Sequence, residues 1–298
     1  MGVLDNDSFQ FAIIEATDCK STKISDVLHG RLACIVVRDF ATRKDCEQAF
    51  RGFLQSAKTR KREGDATGLY LGAYHWGRER DEFLADSANV ARDVLEVSEV
   101  ESDRLWGKFI SQLQVELHGA GHELRTARWG GQEVSAPLVR SWSGEGEYSL
   151  IPHEDVAQCL DPIQADYEIQ QCAERTVASA NLCLVNDEAG ELVLWNHFPS
   201  VSERGHFGTT YTGGPYPDDW LSDYDSLTLE VRKGDFYVFN GGLIHAVRAA
   251  RGKRATISCL LGYISEEQVV MWTLYDAGIP TYLALVLSIR SSPWRCEV

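Results

Sequence analysis

Basic residues are scarce in this sequence. Its 298 residues include 29 Lys and Arg against 44 Asp and Glu, which gives a formal charge of -15. A surface this acidic repels phosphate backbones and anionic lipid headgroups, so we expect neither a nucleic acid nor a membrane surface as a partner. Net charge affects the solubility of a protein more than it indicates the substrate. We expect most of the excess Asp and Glu side chains to lie on the solvated surface.

Signals for disulfide pairing, export and membrane insertion are missing as well. The eight cysteines include no CxxC pair, and most lie in apolar runs such as Leu182-Cys183-Leu184, so we expect buried, reduced thiols. Residues 1–6 lack the basic-then-apolar order of a secretory signal, and Asn6 stands where myristoylation needs Ser or Thr. The apolar stretch at 279–289 is too short to span a bilayer. We expect a cytoplasmic monomer or homodimer.

The length suits one large domain, and we find no internal repeat or low-complexity segment. We predict a single domain over residues 1–298. Up to about residue 130 the pattern is mainly helical. Amphipathic helices are predicted at 45–57, 83–95 and 105–117, with strands at 32–37 and 67–74.

Short β-rich runs punctuated by Gly, Pro, Asn and Asp dominate the second half. Strands at this spacing indicate an antiparallel sandwich or barrel. They are predicted at 138–142, 147–151, 177–185, 191–195, 226–231, 236–239 and 256–264. The Gly- and Pro-rich segment 198–221 has the length of a lid or binding loop. We therefore expect a mainly β protein with helices: a double-stranded β-helix core (jelly roll, cupin-like) over about 131–273, supported by N-terminal α-helices over about 1–130. The tail at 274–298 stays unassigned.

The motif with the clearest chemistry is His153-Glu154-Asp155, which follows a strand-like run. In an extended segment residues i and i+2 point to the same face, so His153 and Asp155 can converge on one ion. His245 follows a buried strand and a Gly-rich turn, and it can add a second imidazole from a neighbouring strand. Two His and one carboxylate form the facial triad of Fe(II) oxygenases, which leaves the other coordination positions for co-substrate and O₂.

A second signal comes nine residues after His245, in Arg254-Ala255-Thr256. If 2-oxoglutarate chelates the iron through its 1-carboxylate and 2-oxo group, its distal carboxylate needs a cation. A guanidinium offers a bidentate partner, and the Thr256 hydroxyl lies on the same strand face. A salt-bridging surface arginine is the alternative for Arg254.

These motifs also carry a family resemblance. Gly234-Asp235 to His245 and Arg254-Ala255-Thr256-Ile257 resemble the Fe(II)/2-oxoglutarate oxygenases that include the carrier-independent welwitindolinone halogenase and hydroxylases of amino acids and N-acyl amino acids. The resemblance spans residues 26 to 273. It implies a double-stranded β-helix, Fe(II), 2-oxoglutarate and O₂ as cofactor and co-substrates, and oxidation of an aliphatic C–H bond. It implies iron ligation by His153 and His245 and a carboxylate contact at Arg254.

One position separates two chemistries within that family. The halogenating members have Gly where this chain has Asp155, and the Gly frees a coordination site for chloride. With Asp155 present, the resemblance implies a hydroxylase.

Five further residues are candidates for the substrate pocket, each with a structural alternative. Arg140 can contact a substrate or co-substrate carboxylate, or form an ordinary ion pair. Asn196 and His197 lead into the Gly-rich segment and are predicted to line the pocket. His75 and Trp76 are predicted to cover its mouth.

We therefore predict a 2-oxoglutarate-dependent dioxygenase that hydroxylates a small metabolite and releases succinate and CO₂. An amino acid or an amino-acid derivative from specialised metabolism is expected as substrate, on the resemblance alone. Desaturation or oxidative cyclisation begins with the same hydrogen abstraction and remains an alternative. A non-catalytic cupin-like binding protein is the alternative from another class.

Overall fold

The computed structural model describes residues 9–16, 23–62, 68–98, 105–142 and 146–273. The tail 274–298, the apolar stretch at 279–289, residues 1–6, Cys19 and Cys296 lie outside the described residues.

Helices lie mainly before residue 120, with two short ones in the second half. In the described part of the chain the α-helices are α1 (Ile24–Leu28), α2 (Arg43–Gln55), α3 (Arg80–Ser98), α4 (Leu105–Gly119), α5 (Val201–Phe207) and α6 (Asp218–Leu221). Short 3-10 helices cover Ala157–Leu160, Pro162–Gln164 and Glu168–Cys172.

Strands run through most of the chain. In order they are β1 (Gln10–Ala16), β2 (Leu32–Val37), β3 (Arg60–Lys61), β4 (Leu69–Leu71), β5 (Glu123–Thr126), β6 (Arg128–Trp129), β7 (Gln132–Glu133), β8 (Leu138–Trp142), β9 (Tyr148–His153), β10 (Val177–Asn186), β11 (Leu192–Trp195), β12 (Ser226–Leu229), β13 (Phe236–Asn240), β14 (His245–Arg248), β15 (Arg254–Tyr263) and β16 (Gln268–Trp272).

The strands form a large sheet and a small sheet. The large sheet has the order β1-β2-β13-β10-β15-β8-β4-β3, with β16 and β5 added beside β15. The small sheet has the order β12-β11-β14-β9, and β6 and β7 form a separate hairpin. Most neighbours are antiparallel, whereas β1 with β2 and β16 with β5 are parallel.

The central strands of the large sheet are buried on both faces, and successive side chains point to opposite sides. In β10, Ala178, Ala180 and Leu182 belong to the core that also contains the helices. The alternate residues Ser179 and Asn181 line a cavity toward the small sheet. Period-two alternation thus gives the large sheet an apolar face for the helices and a more polar face for the cavity.

Helices α1 to α4 are amphipathic and pack on the apolar face of the large sheet. Helix α2 begins at the N-cap Thr42, whose hydroxyl accepts a hydrogen bond from the Asp45 backbone N–H. Helix α4 buries Phe109, Leu113 and Leu117 at four-residue spacing, and the Phe109 ring stacks on Phe236 of β13 with centroids 4.0 Å apart.

A mainly β architecture with helices is confirmed, and the predicted helices and most predicted strands coincide with elements of the structure. Strand β2 coincides with the strand predicted at 32–37, and together with β1 it extends the large sheet beside β13. One expectation needs correction. The segment 198–221 is not a plain loop: it contains α5, which begins with a capping box of Ser200 and Glu203, and α6.

The six cysteines within the described residues are buried and unpaired, which confirms the expectation of core thiols for them. Within the same residues, none of the helices combines the length and the apolar character that crossing a bilayer requires.

Candidate metal centre between the two sheets

The structure brings His153, Asp155 and His245 together. His153 ends β9 and His245 begins β14, and the two residues are direct partners across that strand pair. Their ring centroids lie 4.2 Å apart. Asp155 Oδ1 lies 3.9 Å from His153 Nε2, and Asp155 Oδ2 lies 3.6 Å from His245 Nε2. One ligand atom from each residue lies within 4.8 Å of the others, and all three side chains are buried.

The route by which Asp155 reaches this cluster differs from the prediction. Strand β9 stops at His153, so Asp155 is not the second residue of an extended pair. Glu154 turns the chain instead: its Oε2 accepts hydrogen bonds from the backbone N–H groups of Val156 (2.5 Å) and Ala157 (3.1 Å). The backbone N–H of Asp155 then donates to the Gly241 carbonyl at 2.7 Å.

The donor atoms suit a divalent cation. The Nδ1 atoms of His153 and His245 lie 2.8 Å and 2.9 Å from the carbonyls of Ile151 and Leu243, so each Nδ1–H donates there and each Nε2 lone pair is left for a metal. Burial lowers the pKa of His153 to about 4 and lowers that of His245 well below its ordinary value, which keeps both imidazoles neutral. Asp155 Oδ2 is buried without a hydrogen-bond partner.

Burial also raises the pKa of Asp155 to about 7, although the nearby Arg140 acts in the opposite direction. A buried carboxylate that has neither a proton nor a hydrogen-bond donor raises the free energy of the folded state. A cation between Asp155 and the two imidazoles removes that cost. Two neutral imidazoles and one carboxylate form the ligand set of non-haem Fe(II) oxygenases. The residues present therefore fit Fe(II).

A small cavity between the two sheets is lined by both histidines. Its lining comes from β8, β9, β10, β11, β13, β14 and β15: Arg140, Trp142, Leu150, His153, Ser179, Asn181, Leu192, Tyr237, Phe239, His245, Val247 and Arg254. Leu150 and Leu192 flank Val247 on either side in the small sheet, one row along from His153 and His245. This apolar row lines the same cavity as His153, His245 and Arg254.

Arg254 is 1% exposed, and its guanidinium is held by defined contacts. Its Nε donates to the Gly190 carbonyl at 3.0 Å and its Nη2 donates to the Tyr237 hydroxyl at 3.3 Å. Its Cζ lies 4.7 Å from the Trp142 ring centroid. Nη1 is buried without a hydrogen-bond partner. A fixed guanidinium with an unused N–H group is what a carboxylate of 2-oxoglutarate requires.

A second buried guanidinium belongs to Arg140. Its Cζ also lies 4.7 Å from the Trp142 ring centroid, and its Nε has no hydrogen-bond partner. Burial lowers the pKa of Arg140 to about 10; Asp155 acts against this shift and Arg254 adds to it. Cationic side chains thus crowd this part of the cavity, which favours an anionic ligand.

No protein-family model matches the chain. A curated relative, the L-isoleucine 3(1)-dioxygenase of Pantoea ananatis, is 28% identical over 280 residues, which covers 88% of this chain and 93% of the relative. With the metal-ligand set described above, this similarity identifies the chain as a non-haem iron, 2-oxoglutarate-dependent dioxygenase.

Solved structures match the dioxygenase at lower identity. An N-substituted L-amino acid dioxygenase from Burkholderia ambifaria is 16% identical, with a TM-score of 0.49 and 84% and 89% of the two chains covered. HygX from Streptomyces hygroscopicus, solved with nickel and 2-oxoglutarate, is 17% identical, with a TM-score of 0.43 and coverage of 80% and 84%.

The remaining predicted site residues of the dioxygenase fall at different places. Arg140 lines the cavity, as expected for a ligand contact. Thr256 is fully buried beside Arg140 in the large sheet, and its Oγ1 lies 2.7 Å from Ser258 Oγ. Trp76 packs against Leu150 and Val247 and donates from Nε1 to the Tyr211 carbonyl at 3.3 Å, so it joins the cavity wall to segment 198–221.

Besides Trp76, three predicted substrate contacts lie outside the cavity lining. His75 is fully buried in the core, where its Nε2 lies 3.1 Å from Gln158 Oε1 and its ring packs edge-on against Phe83 and Tyr167. Asn196 is exposed. His197 contacts the first turn of α5 through Glu203 Oε1 at 3.1 Å. Their positions correct the expectation that they line or cover the pocket.

Sequence reasoning missed Ser179, Asn181, Tyr237 and Phe239, which line the dioxygenase cavity from β10 and β13. Asn181 Nδ2 donates to Ser179 Oγ at 3.0 Å. The available signal was the pair of polar residues two apart inside an otherwise apolar strand, which marks one strand face as a site and not as core.

Proposed function

We propose that this dioxygenase hydroxylates an aliphatic C–H bond of an amino acid or an amino-acid derivative. One substrate C–H becomes C–OH, while 2-oxoglutarate and O₂ are converted to succinate and CO₂, with the second oxygen atom entering succinate. The observation that carries the proposal is a cavity lined by His153, His245 and a buried arginine with an unused N–H group, with the unsatisfied carboxylate of Asp155 beside the two histidines. The name of the curated relative supports an amino acid as substrate.

In this proposal His153, Asp155 and His245 hold Fe(II) on one face. Arg254 binds the distal carboxylate of 2-oxoglutarate, and Thr256 supports that end of the site. The apolar row of Leu150, Leu192 and Val247 suits the two methylene groups of the co-substrate, because it lines the same cavity beside the two histidines. Bound iron and 2-oxoglutarate supply the oxidising chemistry, and the protein supplies orientation and exclusion of water.

Arg140 is the proposed contact for the carboxylate of the substrate. Fe(II) and Arg254 together balance the charges of Asp155 and the doubly negative co-substrate. Arg140 then remains as an excess buried cation, which is costly until an anion meets it. A free amino acid brings such a carboxylate, and Trp76 lies against the cavity wall beside segment 198–221.

The facing large and small sheets support a double-stranded β-helix that forms one catalytic domain with α1 to α4. Asp155 supports a hydroxylase among the relatives of the welwitindolinone halogenase, because the carboxylate fills the position that a halide would need.

The test uses purified protein loaded with Fe(II) and 2-oxoglutarate under ¹⁸O₂, with a panel of free and N-substituted aliphatic amino acids. We expect substrate-dependent succinate and a product that carries one ¹⁸O atom, both lost in His245→Ala. A product that lacks two hydrogens and carries no ¹⁸O would identify a desaturase or cyclase. No succinate above the His245→Ala background with any substrate would contradict the proposal.

A further inference from the structure

Glu154 stands between two proposed metal ligands, with 1% of its surface exposed. Both carboxylate oxygens are used. Oε2 accepts from the backbone N–H groups of Val156 and Ala157, and Oε1 accepts from Arg204 Nε at 2.8 Å. Glu154 therefore fixes the turn that carries Asp155 and links that turn to α5.

Backbone hydrogen bonds form a second connection between Glu154 and α5. Arg204 accepts at its carbonyl from the Thr209 N–H (2.8 Å), and the Thr209 carbonyl accepts from the Gly213 N–H (2.9 Å). The Gly213 carbonyl accepts from the Glu154 N–H at 2.8 Å. Segment 198–221 thus holds Glu154 by its side chain and by its main chain.

Segment 198–221 also contacts His153 and the residue before it. The Tyr216 N–H donates to the Pro152 carbonyl at 3.1 Å. A Cβ atom at Gly214 would lie 2.8 Å from His153 Cβ and 2.7 Å from the Pro152 carbonyl oxygen, so only Gly allows this approach. The segment therefore packs directly on the residues that carry two of the three ligands.

Stability alone is a weak reason for this ion pair. Taking two charges out of water costs several kcal/mol per ion, and well-packed apolar residues often serve stability equally well. An arginine has a different advantage at this place, because its planar guanidinium fixes the direction of the carboxylate it binds. The direction of Glu154 in turn sets the turn that presents Asp155.

We propose that Arg204 is a positioning residue for the metal centre, acting through Glu154. Segment 198–221 then sets the geometry of the His153–Asp155 pair, although none of its own side chains is a metal ligand in this assignment. The inference rests on the proposed function, since it takes His153, Asp155 and His245 as the ligands.

The experiment compares Arg204→Met and Glu154→Gln with Arg232→Met, which removes an exposed ion pair to Glu230. Each full-length protein is titrated with Co(II), the visible d–d spectrum is recorded, and the melting temperature of the metal-free protein is measured. We expect the two site variants to bind Co(II) at least about tenfold more weakly and with a changed spectrum, as outer-shell partners of metal ligands do. Arg232→Met should match the wild type.

Wild-type affinity and spectrum in both site variants would overturn the positioning role, even if their melting temperatures fell. If neither variant folds, the ion pair is structural and the proposal is also wrong. Failure of the proposed function looks different: the wild type itself would then bind Co(II) no better than His245→Ala does.

Discussion

Gly241 approaches Asp155 so closely that a Cβ atom on the glycine would lie 2.8 Å from Asp155 Oδ2 and 3.0 Å from Asp155 Cβ. The Gly241 carbonyl also accepts the backbone hydrogen bond of Asp155 at 2.7 Å. The glycine that precedes the second histidine by four residues therefore forms one wall of the metal site. Its backbone lies outside the left-handed region, so the close approach is the reason for glycine here.

Replacing Gly241 by Ala should displace the Asp155 carboxylate. We expect Co(II) affinity to fall by at least about tenfold while the metal-free protein still folds. The matched control is Gly119→Ala at the end of α4, where a Cβ meets nothing within 4 Å. Equal Co(II) affinity in Gly241→Ala and the control would contradict the role of Gly241.

Replacing Arg254 by Leu should remove the partner of the distal carboxylate of 2-oxoglutarate. Leaving a buried charge unpaired costs about 3–5 kcal/mol, so the affinity for 2-oxoglutarate should fall by about two orders of magnitude or more. Arg248→Leu, on an exposed position of β14, is the control. Binding is measured by titrating the Fe(II) protein anaerobically. An unchanged dissociation constant for 2-oxoglutarate in Arg254→Leu would indicate that Arg140, and not Arg254, binds its distal carboxylate.

Replacing His75 by Phe should change how stability depends on pH. Burial lowers the pKa of His75 to about 4 from an ordinary value of 6.5, so between these values the unfolded chain binds a proton that the folded chain does not. Above about pH 6.5 neutral His75 has no destabilising effect on the fold. As the pH falls from about 6.5 to about 4, the free energy of unfolding decreases by about 3 kcal/mol in total because of this group.

In the His75→Phe variant this loss disappears, while the edge-on packing against Phe83 and Tyr167 can be retained. Urea unfolding of the metal-free proteins from pH 4 to pH 8 gives the dependence of the free energy of unfolding on pH. We expect the free energy of unfolding of the variant to vary less between pH 4 and 6.5. An identical pH dependence in the two proteins would mean that folding does not lower the pKa of His75.

The sequence patterns predicted the strands well because buried β-rich runs between turns are unambiguous. They also predicted the three candidate ligands, since His153 and His245 sit at paired strand ends and Asp155 follows His153 by two residues. They could not show that Asp155 is presented by a turn, because that turn depends on the side chain of Glu154 and on a glycine 86 positions later.

The substrate side of the site was less predictable. Tyr74-His75-Trp76 has no periodicity that tells which side chain enters the core, and the structure buries His75 while Trp76 packs at the cavity wall. In β10 all residues but the last are buried, so alternation alone cannot tell which strand face is core and which is cavity. The contact of Arg204 with Glu154 joins residues 50 positions apart, for which no local pattern exists.

The last prediction concerns the choice between oxygen and halide transfer. In the proposed assignment Asp155 fills the position that chloride would need. The wild-type protein should therefore incorporate an oxygen atom from O₂, or desaturate or cyclise its substrate, and never chlorinate it. Asp155→Gly would remove the carboxylate and leave Arg140 and Arg254 in the cavity lining, which favours an anion. Binding of chloride is not transfer, since the substrate carbon must also face the halide. We therefore expect the variant to lose most hydroxylation and to gain little or no halogenation. Mass spectrometry of products formed under ¹⁸O₂ with excess chloride decides the matter: a chlorinated wild-type product would show that Asp155 is not a metal ligand.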